Sequence, residues 1–482
     1  MAKTGTLIFL LSTLLWTSVV SAGNPNIVFI LVDDMGYGDL SSYNTESRIP
    51  TPHLDRLARS GMRFTDAHSA GPLCHPSRYG LMTGQLPFRI DYGVWREHAL
   101  ISSDRMTVAS FLKGQGYHTA MVGKWHLGFE ENGYENPLPG GPVDVGFDTF
   151  FGIRASTDIP PYFYIDGDRA LVAPVNHIEA NYSDGWTRIQ GAFWRAGGIA
   201  PNLQLEGVLP RFTDEAVGVI RDHARSKSER PLFLYLAYPA PHTPWLPSES
   251  FQGISGAATY GDFMAMVDYM IGRVLKELQD TGMKEETLVI FSSDNGPVWY
   301  DTDVQRFGHD SSGGMRGMKG DAYEGGHRMP FIVRWPGQVK PGSVSNQTIG
   351  FTDVLATFAA VTGVELPEGQ GPDSVSFLSA LQGNEVSNTT ARGPLVLESS
   401  RGHFLIRSGK WKYINGLGSG GFSDGFSGAY KAVAPGAGDP TAQLYDMETD
   451  PGETRNLFFE KPEVVKKLAA ELEQIVGPGH KR

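Results

Sequence analysis

Four short apolar runs, each cut off by polar residues, constrain the fold of this chain more than any other feature. Asn26-Ile27-Val28-Phe29-Ile30-Leu31-Val32 is continuous, rich in β-branched side chains, and stops at Asp33-Asp34. Leu288-Val289-Ile290-Phe291 passes through Ser292-Ser293 to Asp294-Asn295-Gly296. The run 232–236 leads to Pro239-Ala240-Pro241-His242, and the run 117–122 leads to Gly123-Lys124-Trp125-His126. An apolar run without alternation marks a strand buried on both faces. Helical patterns lie between the runs. Thr213 is the expected cap of a helix through Ala216, Val219 and Ile220. Asp262 is the expected cap of another, with Met264, Val267, Ile271, Val274 and Leu278 on one stripe and Gly282 at its end. Strands alternating with helices predict an α/β sandwich around a largely parallel sheet. Ligands of such sheets bind beyond the carboxyl ends of the strands, where all four runs carry their polar residues. Singly, each residue has an ordinary alternative: an acid caps the next helix, a histidine sits satisfied in a core, a lysine is solvated. Four such endings in one chain favour a common site.

Composition removes several classes. With 482 residues, 40% of them hydrophobic, the chain is long enough for two or three cores and is not a disordered protein. Lys and Arg number 41 against 53 Asp and Glu, a net charge of −12 with no basic block, which argues against nucleic acid or an anionic membrane as partner. Cys74 is the one cysteine, so an intramolecular disulfide and a cysteine-rich zinc site are excluded. Lys3, the apolar stretch that begins at Leu7, and Ser21-Ala22 before Gly23 describe a cleaved secretory signal over residues 1–22, too short in its apolar part to span a bilayer. The mature protein is therefore expected to be secreted or periplasmic, with no stable membrane insertion. Glycosylation sequons stand at Asn181, Asn346 and Asn388.

Cys74 opens the segment Cys74-His75-Pro76-Ser77-Arg78-Tyr79-Gly80-Leu81-Met82-Thr83-Gly84, which reads as a short helix entered through Pro76 and left at Gly84. Just ahead of a helix N-terminus, a thiol meets free N–H groups and Arg78 one turn on, so a depressed pKa and a nucleophilic role are expected. A small buried hydrophobe is the equal alternative.

Cys74-x-Pro76-Ser77-Arg78-x-x-Leu81-x-Thr83-Gly84 resembles the signature of the type I sulfatases, of the alkaline phosphatase superfamily. So do Asp33-Asp34-Met35-Gly36-Tyr37-Gly38-Asp39, Thr51-Pro52-His53-Leu54-Asp55, Gly123-Lys124-Trp125-His126-Leu127-Gly128 and Ser293-Asp294-Asn295-Gly296. Lys319-Gly320, Tyr323-Glu324-Gly325-Gly326, Leu444-Tyr445-Asp446 and Asp450-Pro451-Gly452-Glu453 complete a likeness over nearly the whole chain, with residues 152–209 the least familiar stretch. The resemblance implies an arylsulfatase or N-acetylgalactosamine-6-sulfatase-like enzyme acting on sulfated carbohydrates and aryl sulfates. It further implies that a maturation enzyme oxidises Cys74 to Cα-formylglycine, whose hydrated aldehyde is the nucleophile. A phosphonate or phosphate ester hydrolase, a conventional cysteine hydrolase and an inactive sulfated-glycan-binding protein are the alternatives.

Asp33, Asp34, Asp294 and Asn295 offer oxygen ligands only, which suits Ca²⁺ or Mg²⁺. Similarity to the family selects one Ca²⁺, shared with an oxygen at position 74 and with the substrate sulfate. By the same resemblance, one hydroxyl of the hydrate attacks sulfur with Asp294 as proton acceptor, and His242 or Lys319 protonates the leaving alcohol. His126 then takes the proton of the second hydroxyl, while Arg78 and Lys124 hold the nucleophile and offset negative charge.

The remaining chain is expected to divide at about residue 370. A catalytic domain over 23–370, closed by a helix over 352–361, precedes a smaller α+β domain over 371–482. That domain has an antiparallel sheet, with strands near 395–397, 403–407 and 410–414, and a terminal helix from Pro462. The Gly/Ser-rich loop 415–438 either borders the substrate opening or has no role. The aromatics Tyr162, Phe163, Tyr164, Trp186, Phe193 and Trp194 either stack on substrate rings or pack an insertion. Nothing in the sequence sets an oligomeric state.

Overall fold

Strand Asn26–Asp33 is the axis of the fold, buried at every residue after the first. It pairs in parallel with Thr287–Ser293 on one side and Leu232–Pro241 on the other, so neither face meets water and no alternation is needed. The protein is described by a computed structural model covering residues 23–384, 392–425 and 433–477. Residues 1–22, expected to be a secretory signal, Asn388 and part of the Gly/Ser-rich loop lie outside the described residues.

Across the large sheet the order is Ser343–Ser345, Met62–His68, Arg328–Arg334, Thr287–Ser293, Asn26–Asp33, Leu232–Pro241, His118–Lys124, Thr149–Ile153, Ile165–Asp166 and Arg169–Ala170. The middle is parallel from Thr287–Ser293 to Thr149–Ile153. Arg328–Arg334 runs antiparallel to both of its neighbours, so Met62–His68 regains the common direction. One edge of the sheet therefore gathers the carboxyl ends of Met62–His68 and of the five central strands with the amino end of Arg328–Arg334.

Helices Val208–Ser226 and Ala258–Asp280 pack together against Leu232–Pro241, while Cys74–Thr83, Val108–Gly114 and Asp353–Thr362 pack on one another. Both expected caps fall inside their helices. The apolar stripes extend further upstream than the capping residues suggest, through Leu209 and Phe212 in one helix and Tyr260 in the other. Thr213 instead donates back to the Leu209 carbonyl (3.0 Å), and Asp262 accepts from Gly253 and Ser255 N–H (2.7 and 2.9 Å), closing the loop before its helix.

The four strands Leu395–Glu398, Phe404–Ser408, Trp411–Ile414 and Gln443–Asp446 form a separate antiparallel sheet. Helix Pro462–Val476 covers one face, with Leu468 and Leu472 in a core with Ile406, Tyr413 and Leu444. The other face, through Leu397, Leu405 and Ile414, buries Ala322 and Tyr323 of the preceding part. Phe377 and Leu381 still pack into the large core.

A buried ion network crosses this junction. Arg407 binds Glu324 (2.9 Å) and Asp66 (3.1 Å), and Lys412 binds Glu324 (3.0 Å) and Glu453 (2.8 Å). His68 and His327 share it, but Lys412 Nζ lies 3.2 Å from His327 Nε2, so a cation already fills the place a metal would take.

The aromatics of residues 152–209 are mostly packing. Tyr162, Phe163, Tyr164 and Phe193 are buried, and Trp186 lies against Trp245 and Phe307 at ring-centroid distances of 4.9 and 5.7 Å.

Candidate active site

The polar residues that end the strands meet at that one sheet edge. Asp33 closes the axial strand, and Asp34 follows with φ 64°, a left-handed backbone that a non-glycine residue adopts at a cost. Asp294 and Asn295 follow Thr287–Ser293, Lys124 ends His118–Lys124, and His242 follows Leu232–Pro241. Lys319 arrives from the opposite direction, on the loop before Arg328–Arg334. Gly296 makes the approach of two loops possible: a Cβ there would stand 1.8 Å from the Gly325 carbonyl oxygen. Its N–H instead donates to Gly326 O (2.9 Å), tying the Asp294-Asn295-Gly296 turn to Gly325-Gly326.

Cys74 is the first residue of helix Cys74–Thr83, which Gly84 ends in a left-handed conformation (φ 63°). Its Sγ donates to Asp33 Oδ1 (3.2 Å) and accepts from Lys319 Nζ (3.4 Å). Arg78, one turn on, grips Asp294 through Nε (2.9 Å) and Nη2 (2.8 Å) and donates to the Lys124 carbonyl (2.9 Å). Lys124 bonds Asp33 and donates to Ser156 Oγ (2.6 Å). Lys319 bonds Asp34, which also accepts from Asn295 Nδ2 (2.6 Å). Three cations thus interleave with three carboxylates in a buried cluster.

Ligand atoms of Asp33, Asp34, Cys74 and His242 all lie within 4.8 Å of one another. Asn295 Oδ1 is buried with no hydrogen-bond partner, although its amide nitrogen is satisfied. An orphaned amide oxygen beside converging carboxylates is a donor set for a hard dication. Of the five expected metal ligands, Asp33, Asp34 and Cys74 share that cluster, while Asp294 and Asn295 border it. His242 joins it unforeseen.

Burial alone would raise the Asp33 carboxyl, but Lys124, with His242, Arg78 and Lys319, holds it well below the carboxylate range. Asp294 goes the other way, pushed up to about 6 by burial and by Asp33, against Arg78 and Lys124. The depressed thiol pKa expected for Cys74 is not found. Burial, then Asp33, push the thiol well above its ordinary value, and Lys124 and Lys319 offset this only in part. A helix N-terminus favours an anion, but here removal from water and a carboxylate 3.2 Å away outweigh it. These surroundings favour the neutral thiol at position 74 over the thiolate.

His126 has φ 64°, is buried, and has no partner for either ring nitrogen. Burial, then Lys124, His75 and Arg78, push its pKa well below the ordinary value, so the ring is neutral and available as a base. His242 Nδ1 lies 2.6 Å from the Thr243 carbonyl, which can only accept, so Nδ1 carries a proton. Nε2 faces Asp34 Oδ2 at 3.6 Å and is the atom from which an acid proton would leave. The expected catalytic residues, Cys74, Arg78, Lys124, His126, His242 and Lys319, therefore lie together beyond the carboxyl ends of the strands. Sequence reasoning missed Ser156, which holds Lys124, and Asp158, whose Oδ1 lies 3.9 Å from His242 Nδ1. Both follow strand Thr149–Ile153, so the rule that found the other residues, applied to the apolar run Phe150-Phe151-Gly152-Ile153, leads to them as well.

Residues 25–364 match the family model described as Sulfatase. The chain belongs to the sulfatase family. An N-acetylgalactosamine-6-O-sulfatase of Bacteroides thetaiotaomicron is 34% identical, over 94% of this chain and 93% of its own length. Human arylsulfatase A is 34% identical, over 92% of this chain and 86% of its own. A solved structure from work on glycosaminoglycan metabolism by Bacteroides thetaiotaomicron superposes with a TM-score of 0.82 at 32% identity, covering 95% of this chain and all (100%) of that one. A sulfatase from Pseudoalteromonas sp. does so with a TM-score of 0.71 at 25% identity, over 95% and 92%. The fold is thus the alkaline-phosphatase-like fold of sulfatases, and the protein is a sulfuric ester hydrolase.

Proposed function

We propose that this sulfatase is an exported enzyme that releases sulfate from sulfated carbohydrates, and from aryl sulfates, using a formylglycine made from Cys74 and a bound Ca²⁺. The observation that carries this reading is the setting of Cys74: its buried sulfur lies between Asp33 and Lys319 in a cluster where three cations interleave with three carboxylates, and burial pushes the thiol pKa up. Such surroundings suit a neutral hydrate and an anionic substrate better than a thiolate. Asp33, Asp34, Asp294 and the free Asn295 oxygen would hold the ion, which when bound supplies charge neutralisation on the sulfate oxygens. Arg78 and Lys124 fix the carboxylates, His242 delivers a proton to the leaving oxygen from Nε2, and His126 accepts one at position 74. Names of the relatives support a sulfated hexosamine, and N-acetylgalactosamine 6-sulfate is the first sugar to try. The segment before Gly23 supports export. A formylglycine-generating enzyme is the partner that maturation requires.

Peptide mass spectrometry of active protein tests the nucleophile. Replacement of sulfur and two hydrogens by oxygen at position 74 is expected, and a plain thiol in fully active enzyme would defeat the proposal. Turnover of an aryl sulfate beside the matching aryl phosphonate tests the reaction class, with faster sulfate cleavage expected.

A further inference from the structure

Beside the two histidines lies positive charge that ester cleavage leaves unused. Trp95 packs edge-on against His126 with ring centroids 4.3 Å apart. The same indole carries two guanidiniums, Arg96 at 4.7 Å and Arg154 at 6.0 Å from its centroid. On the His242 side, Arg195 donates to the Asp158 carbonyl (3.1 Å) and pairs with its carboxylate. The other oxygen of that carboxylate is buried without a hydrogen-bond partner, 3.9 Å from His242 Nδ1.

The charges around these arginines do not balance. Glu131 neutralises Arg154 (2.6 Å) and Asp158 neutralises Arg195. Arg96 rests on Trp95 with no carboxylate paired to it among the described residues, and it is exposed to solvent. Partial burial lowers its pKa first, and the like charges of Arg195 and Arg154 crowd it further, with Asp158 opposing them. An incoming anion relieves that crowding, and a guanidinium fork fits carboxylate or sulfate oxygens in pairs.

We propose that Arg96, backed by Arg154 and Arg195, binds a second anionic group of the substrate, a sugar carboxylate or a second sulfate, close to the sugar whose ester is cleaved. The proposal rests on the sulfated-carbohydrate reading and narrows it to substrates with two or more anions. Arg96 is then a specificity residue, distinct from the groups that touch the reacting sulfate.

Calorimetric binding to the Cys74→Ala protein, in which ligands stay intact, tests this with and without Arg96→Ala. Three ligands separate the sources: N-acetylgalactosamine 6-sulfate, a disulfated form of the same sugar, and a disaccharide joining it to a uronate. Arg96→Ala should weaken the disulfated sugar, the uronate disaccharide or both by about tenfold, the size of one charge-assisted hydrogen bond. The loss on the monosulfated sugar should be several-fold smaller. Arg96→Lys should recover part of the affinity, and the preference should shrink in high salt. Equal losses on all three ligands, or none on either dianion, overturn the anion subsite while leaving the sulfatase reading intact. Failure of every sugar to bind, with aryl sulfate turnover retained by the unmutated enzyme, overturns both this inference and the carbohydrate reading.

Discussion

Position 74 shows how far a residue's chemistry depends on neighbours that are remote in sequence. The helix entered through Pro76 is legible locally, but Asp33 stands 41 positions away and Lys319 another 245. Local reading therefore gave the thiol the wrong direction of pKa shift, although it placed Cys74 at the head of its helix, where the structure has it. Removing the side chain should cost turnover and not folding: Cys74→Ala is expected to lower kcat by at least ~10³-fold. An unchanged melting curve would accompany that loss, and substantial residual activity would show that the nucleophile lies elsewhere. His242 makes a finer test. If Nε2 protonates the leaving oxygen, His242→Ala should slow sugar sulfates by ~10²-fold or more and activated aryl sulfates far less. Equal losses on both substrates would remove it from that role. Asp33, Asp34, Lys124, His126, His242, Asp294 and Asn295 were legible because each stands at or just after the end of an apolar strand, and Cys74, Arg78 and Lys319 through the motifs that carry them. Asp158 follows a shorter strand through several intervening residues, and its relation to His242 arises only from the packing of two loops.

At the scale of elements, type and order were legible and starting points were not. Capping signals at Thr213 and Asp262 were real polar contacts serving other ends: a bond back into the helix and a brace on the preceding loop. Helix Ala258–Asp280 contains a further brace. Asp268 accepts from the N–H groups of Leu54 and His53 (2.8 and 3.1 Å), capping helix Pro52–Ser60 from outside its own sequence. Burial pushes this carboxyl up from 3.8 to about 7, despite those bonds. The folded chain therefore keeps a proton that the unfolded chain has already lost, and this group's contribution to stability drains away as pH rises through about 7. Asp268→Asn cannot release that proton. Its melting temperature, relative to the unmutated protein, should climb by a few degrees between about pH 5 and about pH 8. A difference that stays flat or falls across that range would mean that the carboxyl is ionised throughout.

For the molecule as a whole, the network around Glu324 decides whether the two sheets hold together. Arg407 joins Asp66, Glu324 and the second sheet with almost no exposure to solvent (5%). Arg407→Leu would leave buried Asp66 and Glu324 to Arg328, which pairs with both (3.5 and 3.2 Å), and to Lys412, at a cost of about 3–5 kcal/mol. The midpoint of urea unfolding should drop accordingly, and an unshifted midpoint would show that Lys412 and Arg328 suffice. None of this network was legible as a network, although Tyr323-Glu324-Gly325-Gly326 and Asp450-Pro451-Gly452-Glu453 both stood out as motifs. Their residues meet across 129 positions, where Glu453 accepts from the Glu324 N–H (2.7 Å).

The second sheet also supports the loop that carries Lys319. Ala322 and Tyr323 lie in its core, and the Ala322 N–H donates to Ser419 O (2.8 Å). During synthesis from the N-terminus, then, Asp33, Cys74, Lys124 and Asp294 are all made long before the strands that seat Lys319. The reaction centre closes late. On the proposed maturation route, Cys74, 4% exposed in the finished fold, is within reach of a formylglycine-generating enzyme only before that closure.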